Sequence, residues 1–224
     1  MFALNRKKLS IVGSADISPR LVQALTCVSA SIAVIIINKG GAAEDMQGTG
    51  FCVDERGLFI TAYHYLQGIE RATFILDREY EAVPVAVDAE KDLALFSVTP
   101  APPVKALRFA ASLPAVGAGL LGVGHVRKGP NAVSLAGYAA SYLDRLDAVI
   151  DDGSRAEIDP ERLECSIVLT GSGLYVPGFS GGPILNVDAE VEALTSGGDG
   201  DGYVTAIAGA AARELTDWYR QRLG

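Results

Sequence analysis

Twelve strand-length apolar runs, six on each side of the proline-rich segment Thr99-Pro100-Ala101-Pro102-Pro103, constrain this chain more than any other feature. The first six cover approximately 31–37, 49–53, 58–61, 72–76, 81–87 and 93–98. The second six cover 119–126, 133–142, 165–169, 183–187, 191–195 and 203–207. Short β-branched runs bounded by turn residues such as Gly40-Gly41, Gly57 and Asp77-Arg78 read as strands. Prolines give no N–H to a ladder and stiffen the chain, so 99–103 reads as a linker. Two equal groups of strands point to two barrels, because closing a sheet removes its exposed edges. A groove between two rigid barrels is also where binding sites form. Ala210, Ala211, Leu215 and Trp218 recur at helical spacing, which predicts a closing helix. The expected fold class is all-β: two six-stranded antiparallel β-barrels with a C-terminal α-helix. The expected divisions are 1–30 as an N-terminal segment with a short helix, 31–105 and 106–209 as the two barrels, and 210–224 as the helix.

Composition removes several function classes. The chain has 224 residues, enough to bury roughly 70 per cent of its unfolded surface. Its net charge is −8 and it has no long basic run to neutralise phosphates, so nucleic acid is not an expected partner. Arg6-Lys7-Lys8 reads as a solvated terminus. Cys27, Cys52 and Cys165 cannot all pair and lack the close spacing of a zinc site. A reducing, cytoplasmic compartment is therefore the expectation. The apolar stretch 21–37 follows basic residues but is interrupted by Gln23, Thr26, Ser29 and Ser31. It reads as a helix capped near Ser18, with Pro19 at its first position, leading into a strand, rather than as a membrane span.

Three segments carry chemistry. Leu58-Phe59-Ile60-Thr61-Ala62-Tyr63-His64 is a strand running into a histidine. Lys91-Asp92-Leu93-Ala94-Leu95 places an acid at the entry of an apolar strand. Gly178-Phe179-Ser180-Gly181-Gly182-Pro183 is a glycine-rich turn around a serine. Its glycines open backbone conformations closed to other residues. Such a turn can present the Ser180 hydroxyl while aiming the Gly178 and Ser180 amides at one point, which is what a developing oxyanion needs. A serine hydroxyl is a weak nucleophile and needs a base, for which histidine has a suitable pKa. The histidine in turn needs an acid to fix its tautomer.

These segments, with Gly48-Thr49-Gly50-Phe51 before them, resemble the trypsin-like serine proteases, and the resemblance covers most of the chain. It is closest in style to the bacterial HtrA-type and related trypsin-like peptidases. The resemblance implies a chymotrypsin-like double barrel with His64 as base, Asp92 as orienting acid and Ser180 as nucleophile. It also implies an oxyanion hole from the amides of Gly178 and Ser180. Leu174 would lie at the base of the primary substrate pocket, with Thr195, Ser196 and Gly197 as its wall. No acid stands at that base, so small or medium apolar residues, not Lys or Arg, are expected at the cut. Neither a metal nor a cofactor is expected.

The chain departs from the family at several points. Tyr63 precedes the histidine where a small residue is usual. Phe179 precedes the serine where trypsin has an aspartate that pairs with a newly cut N-terminus. No cysteine pair brackets His64, and a following peptide-binding domain is not expected. Asp88 rivals Asp92 for the acid role but reads as a turn residue. His125 reads as structural or solvated. Cys52 and Cys165 read as buried small apolar groups. The acidic stretch between Asp144 and Glu164 reads as a surface excursion. The expected function is hydrolysis of polypeptide through an acyl-enzyme, as a serine endopeptidase with a regulated intracellular processing role. The alternative is a silent trypsin-like module that keeps the cleft and binds a peptide or partner, with Tyr63 as its support. The sequence leaves the oligomeric state open.

Overall fold

A computed structural model describes residues 3–12, 17–37, 46–129, 132–149, 160–171, 176–198 and 203–223. The first barrel closes in the order β2-β3-β4-β7-β6-β5. Its strands are β2 (Ile32–Ile37), β3 (Met46–Asp54), β4 (Leu58–Ala62), β5 (Ala72–Ile75), β6 (Glu79–Asp88) and β7 (Leu93–Thr99). Neighbours pair antiparallel throughout. The second barrel comprises β8 (Gly119–Gly129), β9 (Ala132–Arg145), β10 (Ser166–Gly171), β11 (Pro183–Leu185), β12 (Val191–Gly198) and β13 (Tyr203–Ala208). It runs β9-β10-β13-β12-β11-β8 and closes through β8 on β9. The molecule is therefore a pair of six-stranded antiparallel barrels, and all twelve expected strands are present with shifted ends.

Alternation along the strands explains why they read as continuous apolar runs. Phe59, Phe74 and Phe96 point into the first barrel, with Phe59 and Phe74 edge to face at 5.5 Å. Leu58, Ile60, Leu93 and Leu95, on the opposite faces, join Leu121, Val123, Leu194 and Ile207 in a cluster between the barrels. With one face in a barrel and the other in the seam, every residue of β4 is buried. The second barrel is filled by Tyr138, Tyr142, Ile167, Leu169, Phe179, Ile184 and their neighbours.

Two helices brace the seam. α1 (Pro19–Val28) starts where Ser18 accepts a hydrogen bond from the Arg20 N–H, with Pro19 in the first turn. Leu21, Leu25 and Val28 form its buried stripe against the inter-barrel cluster. The apolar stretch is thus helix plus strand, and no described helix is long and apolar enough to cross a membrane. The C-terminal helix buries Ala211, Ala212, Leu215 and Thr216. Trp218, expected on the buried face, is 47% exposed and carries the Arg222 guanidinium over its ring. The linker between the barrels is stitched to both, by Leu107 N–H to Cys52 C=O at 2.9 Å and Ala110 N–H to Val191 C=O at 2.9 Å.

Two features were not expected. β1 (Ala3–Val12) adds to β9 in parallel, outside the closed ring, with Arg6-Lys7-Lys8 at its register irregularity. The described parts of the excursion also carry regular structure. β9 continues to Arg145, and two short helices follow, α2 (Leu146–Val149) and α3 (Pro160–Cys165). The long C-terminal helix is then α4 (Gly209–Leu223).

Candidate active site

His64 follows the end of β4, on a turn held by the Leu66 N–H bond to the Tyr63 carbonyl at 2.8 Å. Asp92 closes the turn between β6 and β7, with its N–H on the Ala89 carbonyl and its φ at +59°. Aspartate is among the few residues that tolerate this left-handed region. The turn aims the carboxylate at the adjacent strand end, because β4 and β7 are paired up to Ala62↔Leu93. The Tyr63 N–H bonds the Asp92 carbonyl at 3.0 Å, and the His64 N–H bonds Asp92 Oδ1 at 2.7 Å. His64 Nδ1 lies 3.1 Å from Oδ1 and 3.0 Å from Oδ2.

Asp92 is 1% exposed. Burial alone would raise its pKa, but the bonds and charges of His64, Ser196 and Arg162 outweigh burial and hold it below the usual carboxylate value. An ionised carboxylate only accepts hydrogen bonds, so Nδ1 must carry the imidazole proton. That leaves Nε2 with its lone pair free to take a proton from a neighbour. The His64 side chain is 36% exposed, which keeps the ring reachable. Tyr63 packs against the first barrel's core cluster. Asp88 takes the turn role, accepting from the Lys91 N–H at 3.0 Å.

Ser180 comes from the opposite barrel, on the turn before β11. Phe179 anchors that turn: its ring is fully buried and meets Tyr138 edge to face at 5.1 Å. Apolar anchoring thus replaces the ion pair that trypsin's aspartate makes at this position. Gly182 N–H returns to the Phe179 carbonyl at 2.8 Å, and Gly181 N–H bonds the Thr195 carbonyl at 2.8 Å. Gly181 has φ +79°, and a Cβ there would strike the Thr61 hydroxyl and crowd the Ala62 N–H. Only glycine permits that approach. The Ser180 carbonyl also accepts from the Thr49 N–H at 2.9 Å. Ser180 is therefore tied across the seam to β3, the neighbour of the strand that leads to His64.

Gly178 has φ +106° and backs onto the His125 carbonyl, with no room for a Cβ. Its own carbonyl accepts from the Thr49 hydroxyl at 2.5 Å, and that hydroxyl accepts from the His125 N–H at 3.0 Å. His125 is 1% exposed, so it is structural rather than solvated, and it supports the turn before the serine. It is distant from that turn only in sequence. Gln47 contributes as well, its amide donating to the His125 carbonyl at 2.8 Å.

The expected pocket residues divide. Leu174 lies outside the described residues. Thr195 Oγ1 sits 3.1 Å from the Tyr138 hydroxyl, while Ser196 Oγ donates to Asp92 Oδ2 at 2.6 Å. Gly197 stands beside the Thr205 hydroxyl. One contact had no forerunner in the sequence motifs: Arg162 Nη2 on α3 donates to Ser196 Oγ at 2.8 Å and lies 3.4 Å from Asp92 Oδ2. The only hint was Pro160, which suits the start of a helix. The remaining acids near this edge, Asp88, Glu90 and Glu161, cluster closely enough to meet a cation. The Lys91 ammonium supplies the positive charge there, 3.6 Å from Asp88 and 3.9 Å from Glu161. Burial pushes the thiols of Cys52 and Cys165 up to about 12 and about 11, so neither is a thiolate nucleophile near neutral pH.

Known proteins share this architecture. The chain is 30% identical over 179 residues to the putative serine protease HhoA of Synechocystis, covering 76% of this chain and 42% of that protein. It is 25% identical over 147 residues to a probable periplasmic serine endoprotease, DegP-like, of Rickettsia prowazekii, covering 64% of this chain and 26% of that protein. The chain thus spans less than half the length of these relatives. Among solved structures, the Rv3671c protease from M. tuberculosis superposes in its active form with TM-score 0.72. It covers 95% of this chain and 92% of that one at 19% identity. The inactive form gives 0.70, 93% and 99%, at 21% identity. Those two structures speak for the fold. Residues 48–194 match the trypsin-like peptidase domain, which is about two thirds of the sequence, and the chain belongs to that family.

Proposed function

We propose that this protein is a serine endopeptidase that hydrolyses peptide bonds through an acyl-enzyme, with Ser180 as nucleophile, His64 as general base and Asp92 as orienting acid. The observation that carries this reading is the double engagement of Asp92 by the His64 ring and backbone at 2.7–3.1 Å. It fixes the tautomer that leaves the Nε2 lone pair available, as a base for Ser180 requires. In the acylation step Ser180 Oγ bonds to the scissile carbonyl carbon, its proton passes to His64 Nε2, and the carbonyl oxygen becomes an oxyanion. The amides of Gly178 and Ser180 are the proposed oxyanion donors. His64 then gives the proton to the leaving amine, and water repeats the sequence to release the acyl group.

Apolar residues of small or medium size are the proposed preference at the cut, with Leu174 and Gly197 among the pocket residues. The three cysteines are all free, which supports work in a reducing compartment. The silent-module alternative drew on Tyr63, and the packing of that side chain against the barrel core favours the active reading. Unfolded casein tests the proposal. Wild-type chain should cleave it, and Ser180→Ala should lose activity by a factor on the order of 10⁶. Equal cleavage by both forms would refute it.

A further inference from the structure

Asp92 is bonded by more groups than the orientation of His64 requires. Beside the three contacts to His64, Oδ2 accepts from Ser196 Oγ at 2.6 Å and pairs with Arg162 Nη2 at 3.4 Å. The Ser196 hydroxyl has one proton, which it gives to the carboxylate, and its lone pairs accept from the same Nη2 at 2.8 Å. A chain of donors thus runs from Arg162 through Ser196 to a carboxylate that is 1% exposed. Arg162 belongs to neither of the strand pairs that build the site. It comes from α3, which is tied to the β6–β7 turn by Lys91, 3.9 Å from Glu161 and 3.6 Å from Asp88.

We propose that Arg162 is a positioning residue that sets the proton affinity of His64 through Asp92. Docking of α3 then decides the pH range over which His64 is an available base. This rests on the catalytic roles proposed above. When His64 takes a proton from Ser180 it becomes an imidazolium, and a lone buried carboxylate beside it favours that charge strongly. A guanidinium sharing the carboxylate weakens the attraction, so His64 releases its proton at lower pH and remains a free base there. The ring also stands in a T-shaped arrangement with Tyr65, 5.4 Å between centroids. Asp92 faces His64, Ser196 and Arg162, while the adjacent Lys91 is offset by Asp88, Glu161 and Glu214.

The test uses the whole chain with Arg162→Met, Arg162→Gln and Arg162→Lys. The His64 titration is followed by NMR of its imidazole Cε1–H. There are two histidines, so His64→Ala assigns the signals. In parallel, the rate of inactivation by diisopropyl fluorophosphate is measured against pH. Loss of the guanidinium in the Met and Gln variants should raise the His64 midpoint and the acid limb of inactivation by about one unit, while Lys should hold both near wild type. A lower melting temperature with an unmoved midpoint in folded Met and Gln variants overturns the proposal. So does failure of both to fold, since Arg162 would then be a folding requirement. Normal inactivation with an unmoved midpoint leaves the protease reading intact and removes this one. A midpoint that shifts in the Met and Gln variants, while the reagent never labels even the wild-type chain, does the reverse.

Discussion

His64 and Asp92 form a pair whose value depends on the ionised state of one buried carboxyl. Asp92→Asn keeps the shape but takes away the acceptor that holds the Nδ1 proton, and turnover should fall by about 10⁴ in the casein assay. The same carboxyl makes a pH prediction. Its folded pKa lies below its unfolded value, so the unfolded chain takes up the proton first on acidification. The stability it contributes is fully present above the unfolded carboxylate value, about 3.9, and is lost as pH falls through the lower folded value. Urea unfolding at about pH 7 and about pH 3 should therefore show a smaller difference for Asp92→Asn than for wild type. At this scale the His64–Asp92 pairing was readable, because chemistry dictates residue type next to a local turn. Ser196 and Arg162 reach Asp92 from 104 and 70 residues away, and no local pattern reports such a meeting.

Elements position these residues by packing, and the turn before β11 shows how. Phe179 is fully buried among second-barrel side chains, so Phe179→Ala should cost about 3–5 kcal/mol in chemical unfolding. The cavity would also release the Gly178–Gly182 turn, and casein cleavage should fall further than the residual folded fraction explains. Twelve strands were legible because residues buried alternately in a barrel and in the seam leave short apolar runs in the sequence. β1 was not, since its partner is the parallel edge of β9 and its run is broken by Arg6-Lys7-Lys8. α3 was hidden for a related reason. None of its residues is fully buried, so it carries no apolar stripe, and polar contacts at Lys91, Asp92 and Ser196 hold it beside the partly buried Cys165.

Across the whole molecule, a shared apolar cluster holds two closed barrels in one arrangement. α4 completes that cluster through Ala211, Ala212 and Leu215 and ties itself to the first barrel by Arg220 Nε to Asp54 Oδ2 at 2.9 Å. Leu215→Ala should destabilise by about 2–5 kcal/mol, with the loss visible by near-ultraviolet circular dichroism in both barrels at once. Unfolding of one barrel alone would show that the seam does not couple them. The central claim is that a hydroxyl from one barrel meets an imidazole and a carboxylate from the other in a reactive arrangement. Intact-mass spectrometry after diisopropyl fluorophosphate treatment tests it most directly. The account predicts one phosphoryl adduct per chain, mapped to Ser180, absent in Ser180→Ala and formed far more slowly in His64→Ala. An unmodified wild-type chain, or labelling that survives Ser180→Ala unchanged, would contradict it.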